Sequence, residues 1–337
     1  MTDANSAMTI SASAPGKLVL CGEYAVLDGA PAICMAVDRR AVVTITATGA
    51  DHHAVSAPGV SAECGSFRYV DGELEWLSKR SDFLLVDSVW RTAKPADLRG
   101  TAMLLDTGGF VDADSGIKLG IGSSAALAVA LAAALVEFAQ IDADARSIAF
   151  AAHGQFQGGY GSGIDIACSS AGGLIDYRTG AVNSPRLSWP GGLLHAVLWS
   201  GVAADTGKKL EHLDTRTPLA SRAALMYASR RMAEVWRRGP AQAILHEFRD
   251  YTKVLREFSI DHELGIFDAG HAELADSADA AGLVYKPCGA GGGDVGVVFA
   301  DNAASVAAFV ETAATHGFRA LNMNLDPSGV QVVREKQ

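Results

Sequence analysis

Residues 125–136 are twelve consecutive apolar residues, introduced by Gly120-Ile121-Gly122-Ser123-Ser124. This segment constrains the fold more than any other. Its alanines and leucines are strong helix formers, so the pattern predicts a helix over 122–140. A helix that is apolar all round must be covered on every side. At twelve residues the run is too short to cross a bilayer, which takes about 20. The rest of the chain must therefore supply the layers that bury it. Ser123 and Ser124 read as caps of its N-terminus.

Around this helix the chain reads as strands at 17–21, 41–48, 101–106 and 174–177, with helices at 82–92 and 143–155. Pro185, Pro190 and Gly191-Gly192 interrupt the pattern, which sets a boundary between domains 1–185 and 186–337. Beyond it come strands at 194–199, 284–286, 295–300 and 329–333, and helices at 217–238, 240–258 and 302–316. Strands and helices follow no strict alternation, so the predicted class is α+β in both halves.

Composition excludes several alternatives. Of 337 residues, 36 are glycine, above the usual ~7%, yet only 10 are proline and no period of three appears, which excludes collagen. A 49% hydrophobic chain with 20% charged residues is globular rather than disordered. The net charge of −10 argues against a broad nucleic-acid surface. Cys21, Cys34, Cys64, Cys168 and Cys288 are scattered without a CxxC or Cys/His cluster, so they read as reduced, buried thiols rather than zinc ligands. Residues 1–13 lack the basic and apolar regions of an export signal, and the expected location is cytoplasmic, without a membrane partner. No coiled-coil heptads appear, so a monomer or a homodimer is expected.

Glycine concentrates in three places. In residues 15–27 a strand carrying Lys17 ends at Gly22-Glu23-Tyr24. Taken alone, that lysine reads as solvated. The second place, residues 118–126, joins Lys118, Gly120, Gly122, Ser123, Ser124 and Ala125 to the start of the apolar helix. Glycines allow close backbone approach and a helix N-terminus favours anions, so phosphate binding stands beside an ordinary serine cap. The third, residues 286–296, holds Gly289, Ala290, Gly291, Gly292 and Gly293 after Lys286, and something must approach that backbone closely. No Walker-A sequence is present. Gly120 to Ala125 does match G-x-G-x-x-A, but the polar residues before it make a poor buried strand and no acidic residue follows about twenty positions on, so a Rossmann reading fails.

Together and in this order, the three segments resemble the motifs of the GHMP kinase superfamily, over almost the whole chain. Within it, Gly22-Glu23-Tyr24-Ala25-Val26, Lys118, Asp294 after Gly-Ala-Gly-Gly-Gly, and residues 152–165 are similar to phosphomevalonate kinases. Trp199-Ser200-Gly201, followed by Thr206, resembles a Trp-Thr-Gly segment of those enzymes, with Ser200 in place of threonine. The resemblance implies the two-domain GHMP kinase fold: an N-terminal ribosomal-S5-like ATP-binding domain and a C-terminal ferredoxin-like α/β domain. It implies an ATP- and Mg²⁺-dependent kinase acting on a small, anionic acceptor, foremost 5-phosphomevalonate. Mevalonate kinase or another acceptor within the superfamily, a non-catalytic metabolite sensor, and a diphosphate decarboxylase relative are the alternatives.

The implied roles fall on particular residues. Asp165 lies near the acceptor and either takes its proton or orients it. Lys17 and Lys118 offset charge. Gly120, Gly122, Ser123, Ser124 and Ala125 hold the ATP phosphates, with Ser123 or Ser124 also facing Mg²⁺. Gly289 to Gly293 close the site. Glu23, Tyr24, Ser162, Gly163 and Lys286 meet the acceptor, with Lys208 and Lys209 as further candidate cations. Mevalonate kinases carry a metal-binding glutamate in the region that here reads His153-Gly154, so the metal is expected to rely on ATP, serine and water. Trp76 and Phe83 read as core aromatics with adenine contact as the alternative.

Overall fold

The computed structural model describes residues 8–95, 98–159, 161–181, 183–213 and 220–335. The N-terminal half contains strands β1 (Thr9–Cys21), β2 (Ala32–Ala47), β3 (His53–Ser56), β4 (Gly65–Val70), β5 (Glu73–Trp76), β6 (Thr101–Asp106) and β7 (Leu174–Tyr177). Its helices are α1 (Leu84–Ala93), α2 (Ser123–Ala139), α3 (Ala145–Phe156) and α4 (Ile164–Ala171). After β8 (Arg186–Leu187) come β9 (Leu194–Trp199), α5 (Thr206–His212), α6 (Ala220–Arg238), α7 (Ala241–Asp261), α8 (His271–Ala280), β10 (Val284–Pro287), β11 (Val295–Ala300), α9 (Ala303–Thr315), β12 (Arg319–Leu321) and β13 (Gln331–Glu335).

The larger sheet has the order β13-β1-β2-β6-β3-β4-β5, with β7 pairing to β2 and β8 to β7. All its pairs are antiparallel except β3 with β6. The apolar helix is α2, which packs on β1 and β2 and is flanked by α1, α3 and α4. Residues Ala125 to Leu135 are at most 5% exposed, so the helix is indeed covered all round. The second sheet has the order β10-β11-β9-β12, all antiparallel. With helices between β9 and β10 and between β11 and β12, this is the βαββαβ ferredoxin-like connectivity. One continuous apolar core joins the two halves.

Two expectations change, and a third falls partly outside the described residues. Strands β8 and β13 pair with the first sheet, so a cut at 185/186 leaves two segments of the second domain inside the first. The predicted helix over 217–238 is observed from Ala220, and residues 217–219 lie outside the described ones. Four of the five thiols are buried but Cys64 is exposed.

Two core histidines give the fold a pH dependence. His53 bonds Thr101 Oγ1 at 3.0 Å, with its ring against Phe67 and Trp90. His271 donates from Nε2 to the Gly293 carbonyl at 3.0 Å, which leaves Nδ1 to accept from Tyr285 Oη at 2.7 Å. Burial pushes both from 6.5 down to about 4. Between those values the unfolded chain binds protons that the native protein does not. Stability is therefore full above pH 6.5 and falls as the pH drops towards 4, by roughly 3 kcal/mol per histidine. Urea melts at pH 7.5 and 4.5 check this; equal midpoints at the two pH values would contradict it.

Candidate active site

The site lies where β1, α2, α4 and the loop after β10 converge. Strand β1 changes register at Pro15/Gly16. Such irregularities re-aim side chains. Here the next residue, Lys17, gives its backbone N–H to the Ile121 carbonyl at 2.9 Å, which fastens the strand to the loop before α2. Its ammonium lies 3.4 Å from Asp165 Oδ1, in the first turn of α4. Burial pulls the lysine pKa down, but the carboxylates of Asp165 and Asp294 outweigh this and hold it above its ordinary value. Lys17 is thus a fixed positive charge, not the solvated lysine its local sequence suggests.

The start of α2 differs from expectation. Its N-cap is Gly122 in the left-handed conformation, and no side chain caps the first turn. Ser123 and Ser124 lie inside the helix instead. Ser124 Oγ is 3.0 Å from His153 Nε2. Burial lowers the pKa of that imidazole, with Asp165 opposing and Lys17 adding to the shift, so it is neutral. The Ser123 hydroxyl has no hydrogen-bond partner among the described residues, and the residue lines two cavities. Ala125 is fully buried and lines neither cavity, so it lies behind the turn rather than at its surface. The uncapped N–H groups and the positive end of the helix dipole together favour an anion here.

The loop after β10 sits directly on this turn. A Cβ on Gly120 would lie 2.0 Å from Asp294 Cγ. Asp294 is held by segment 200–204: its carbonyl accepts from Ser200 N, its N–H donates to the Val202 carbonyl, and Oδ1 accepts from Ala204 N at 3.0 Å. Its carboxyl pKa is raised by burial. Sequence reasoning used Asp294 only as a family mark; its place against Gly120 could not be seen in spacing.

Two cavities meet at Ser123, Ser124, Lys118 and Phe156. One, of about 400 Å³, holds Lys17, Asp165, Tyr24, Ser162, Gly163 and Gly289. The other, of about 360 Å³, is largely apolar and is lined by Val60, Phe83, Leu85, Thr107, Phe110 and Leu127, among others. Phe83 faces it, whereas Trp76 stacks on Phe83 and donates to Asp87. These lining residues come from separated segments, so no local signal marks them. Lys118 is exposed at the junction of the two cavities.

Several predicted contacts fall elsewhere. Lys286 is fully buried and donates to Glu23 and to the Pro287 carbonyl. Burial lowers its pKa, but the Glu23 carboxylate outweighs that and keeps it charged. Glu23 lines the cleft, yet its second oxygen accepts from Tyr251 Oη, so both oxygens are committed to protein groups. Neither residue is free to hold the acceptor. Lys209 donates to the Leu264 and Gly265 carbonyls, and Lys208 pairs with Asp205 on the surface. Of the five predicted residues 289–293 only Gly289 and Ala290 face the cleft; Gly291 and Gly293 are crowded by Ile266 and Val202. Tyr160 and the Thr206 side chain lie outside the described residues.

Comparison with known proteins agrees with this arrangement. Residues 91–173 match the model of the GHMP kinases N terminal domain. The chain is 32% identical to a phosphomevalonate kinase of Streptomyces sp. (strain CL190), over 88% of this chain and 91% of that one. It is 34% identical to a mevalonate kinase of Methanothermobacter thermautotrophicus over 50% of each chain. Among solved structures, a Listeria innocua protein superposes with a TM-score of 0.84 at 23% identity, covering 96% of this chain and 99% of that one. Streptococcus pneumoniae phosphomevalonate kinase, in complex with phosphomevalonate and AMPPNP, superposes with a TM-score of 0.76 at 18% identity, covering 94% and 99%. The chain belongs to the GHMP kinase family, as a homologue of phosphomevalonate kinase, and is an ATP-dependent phosphotransferase.

Proposed function

We propose that the chain transfers the γ-phosphoryl group of ATP to the phosphate of 5-phosphomevalonate, giving mevalonate diphosphate and ADP. The observation that carries this reading is the Lys17–Asp165 pair, set in an open cleft beside an uncapped helix N-terminus. An oxygen of the acceptor phosphate forms the new bond to the γ-phosphorus. The bond from that phosphorus to the β–γ bridging oxygen breaks, and its electron pair leaves with ADP. The second pKa of a phosphate monoester is about 6, so the attacking oxygen carries no proton at neutral pH. Asp165 then orients Lys17 rather than acting as a base.

Catalysis in this scheme is positioning and charge neutralisation. The N–H groups at Ser123 and Ser124 take the ATP phosphates, with Gly120 and Gly122 allowing them to approach. The apolar cavity takes the base. Lys17 and Lys118 are the lysines and arginines that line the acceptor cleft among the described residues. Tyr24, Ser162 and Gly163 shape its wall. For magnesium, no group of three His, Cys, Asp or Glu side chains exists among the described residues. The free Ser123 hydroxyl at the meeting of the cavities fits an ion held mainly by phosphate oxygens and water, whereas the Ser124 hydroxyl is engaged by His153. When bound, magnesium neutralises phosphate charge. Mg²⁺-dependent quenching of a fluorescent ATP analogue, weakened in Ser123→Ala, checks this assignment.

A coupled ADP-release assay with 5-phosphomevalonate, mevalonate, homoserine and sugars tests the acceptor. Turnover confined to 5-phosphomevalonate is expected, and preference for an unphosphorylated acceptor overturns the reading. Asp165→Ala is expected to lower kcat about 100-fold with ATP affinity within about twofold, because what is lost is the contact that orients Lys17 towards the transferred group. Equal loss of ATP binding contradicts its role.

A further inference from the structure

We infer that the buried Glu23–Lys286 pair, pinned by Tyr251, is a positioning device that sets the two walls of the acceptor cleft relative to each other. This rests on the reading that the acceptor occupies the Lys17–Asp165 cleft. Three distant segments meet in the device: the end of β1, the middle of α7 and the end of β10. Lys286 and Glu23 have side chains 0% and 1% exposed. The ammonium donates to Glu23 Oε1 and, at 2.6 Å, to the Pro287 carbonyl. Tyr251 Oη donates to Glu23 Oε2 at 2.7 Å and accepts from Gly22 N at 2.8 Å. Outside this cluster, Tyr24 Oη donates to the Ala290 carbonyl at 2.8 Å and makes a second tie between the same two segments.

The placement says what the ties control. Glu23, Tyr24, Val26 and Leu27 form one wall of the cleft, and Cys288, Gly289 and Ala290 form the other. A Cβ on Gly289 would lie 3.8 Å from Lys17 Nζ, so the second wall reaches the charge that serves the transfer. A buried ion pair is weak evidence for stability, since apolar residues of like volume commonly hold a core as well. What the pair supplies is direction. Both carboxylate oxygens and two of the three ammonium protons have fixed partners, so the backbones of 22–24 and 286–290 are held in register. The charges cancel inside the protein, which leaves Lys17 and Lys118, with the Asp165 and Asp294 carboxyl groups, to set the potential the acceptor meets.

Steady-state kinetics and amide hydrogen exchange on the full chain test this with Tyr251→Phe, Lys286→Met and the double variant Glu23→Gln/Lys286→Met. Tyr251→Phe keeps the ring in the core and removes only the hydroxyl. Its KM for the acceptor is expected to rise about tenfold, the size of one lost hydrogen bond to a charged group, with the KM for ATP within about twofold. Exchange at Cys288 and Gly292, whose N–H groups donate to the Val295 and Ile266 carbonyls, is expected to quicken while α2 is unchanged. Lys286→Met gives a larger acceptor effect, and the double variant recovers folding without recovering acceptor KM. Should Lys286→Met fail to fold, the other two variants carry the test. Unchanged exchange at Cys288 and Gly292 and an unchanged acceptor KM in folded Tyr251→Phe would overturn the inference. So would parallel loss for both substrates. Absence of turnover of 5-phosphomevalonate by the unmodified protein strikes instead at the proposed acceptor, and the exchange data still decide whether the ties hold the loop.

Discussion

Replacing Lys17 with methionine lowers kcat/KM by about three orders of magnitude and leaves the protein folded. The expectation follows from how the residue is held. Its backbone is fixed to Ile121, its ammonium lies 3.4 Å from Asp165, and its stem runs along Gly122, where a Cβ would come within 3.0 Å of Lys17 Cε. The charge is therefore placed before any ligand arrives, and pre-placed charge is worth about 10²–10³ in rate for a single donor. Methionine matches the length of the stem and retains its packing, so the loss reports the charge. Arginine does not rescue, because its longer, planar head group carries the charge past the point where the ammonium sits. The coupled assay measures the effect, and circular dichroism confirms the fold. A loss below tenfold would mean that other groups meet the transferred charge.

Gly120→Ala is expected to be nearly as severe by a different route. Gly120 has φ of 75°, which costs an alanine about 1–2 kcal/mol. Its new methyl would also lie 2.0 Å from Asp294 Cγ and 2.3 Å from Asp294 Cβ. Asp294 cannot retreat easily, since Ser200, Val202 and Ala204 hold it. Forcing the loops apart adds about 1–3 kcal/mol. It also separates the turn before α2 from the loop that closes over it, so ATP affinity falls at least tenfold and the melting temperature drops by several degrees, in line with a few kcal/mol. Gly116→Ala is the control. Gly116 has φ of 70° but nothing within 4 Å of a Cβ, so it carries the dihedral cost alone. Calorimetric titration with a non-hydrolysable ATP analogue compares the two. Equal ATP affinities in both variants would show that the contact with Asp294 does not matter.

Much of this was legible in the sequence for physical reasons. The apolar run could only be a covered helix, and α2 is one. Lys17, Gly120, Ser123, Asp165 and Gly289 stand in motifs, and the fold brings them to one cleft. What escaped was mostly long-range. Lys286 has the look of a free cation beside a glycine loop, and only the fold places Glu23, 263 positions away, against it. Serines beside a helix start are ordinarily caps, and here the left-handed Gly122 takes that position and moves them into the first turn. The short strands β3, β4 and β5 carry too few residues for a clear period. The C-terminal strand pairs with β1, a contact that no boundary drawn from proline and glycine can reveal.

The central claim is that a phosphate oxygen, not a hydroxyl, receives the phosphoryl group. Phosphorus NMR of the protein with ATP, magnesium and 5-phosphomevalonate tests it directly. The acceptor's monoester signal is expected to disappear as two coupled diphosphate signals grow in step with ADP. A new monoester signal with the original one intact, or ADP formed without any change in the acceptor, would contradict it.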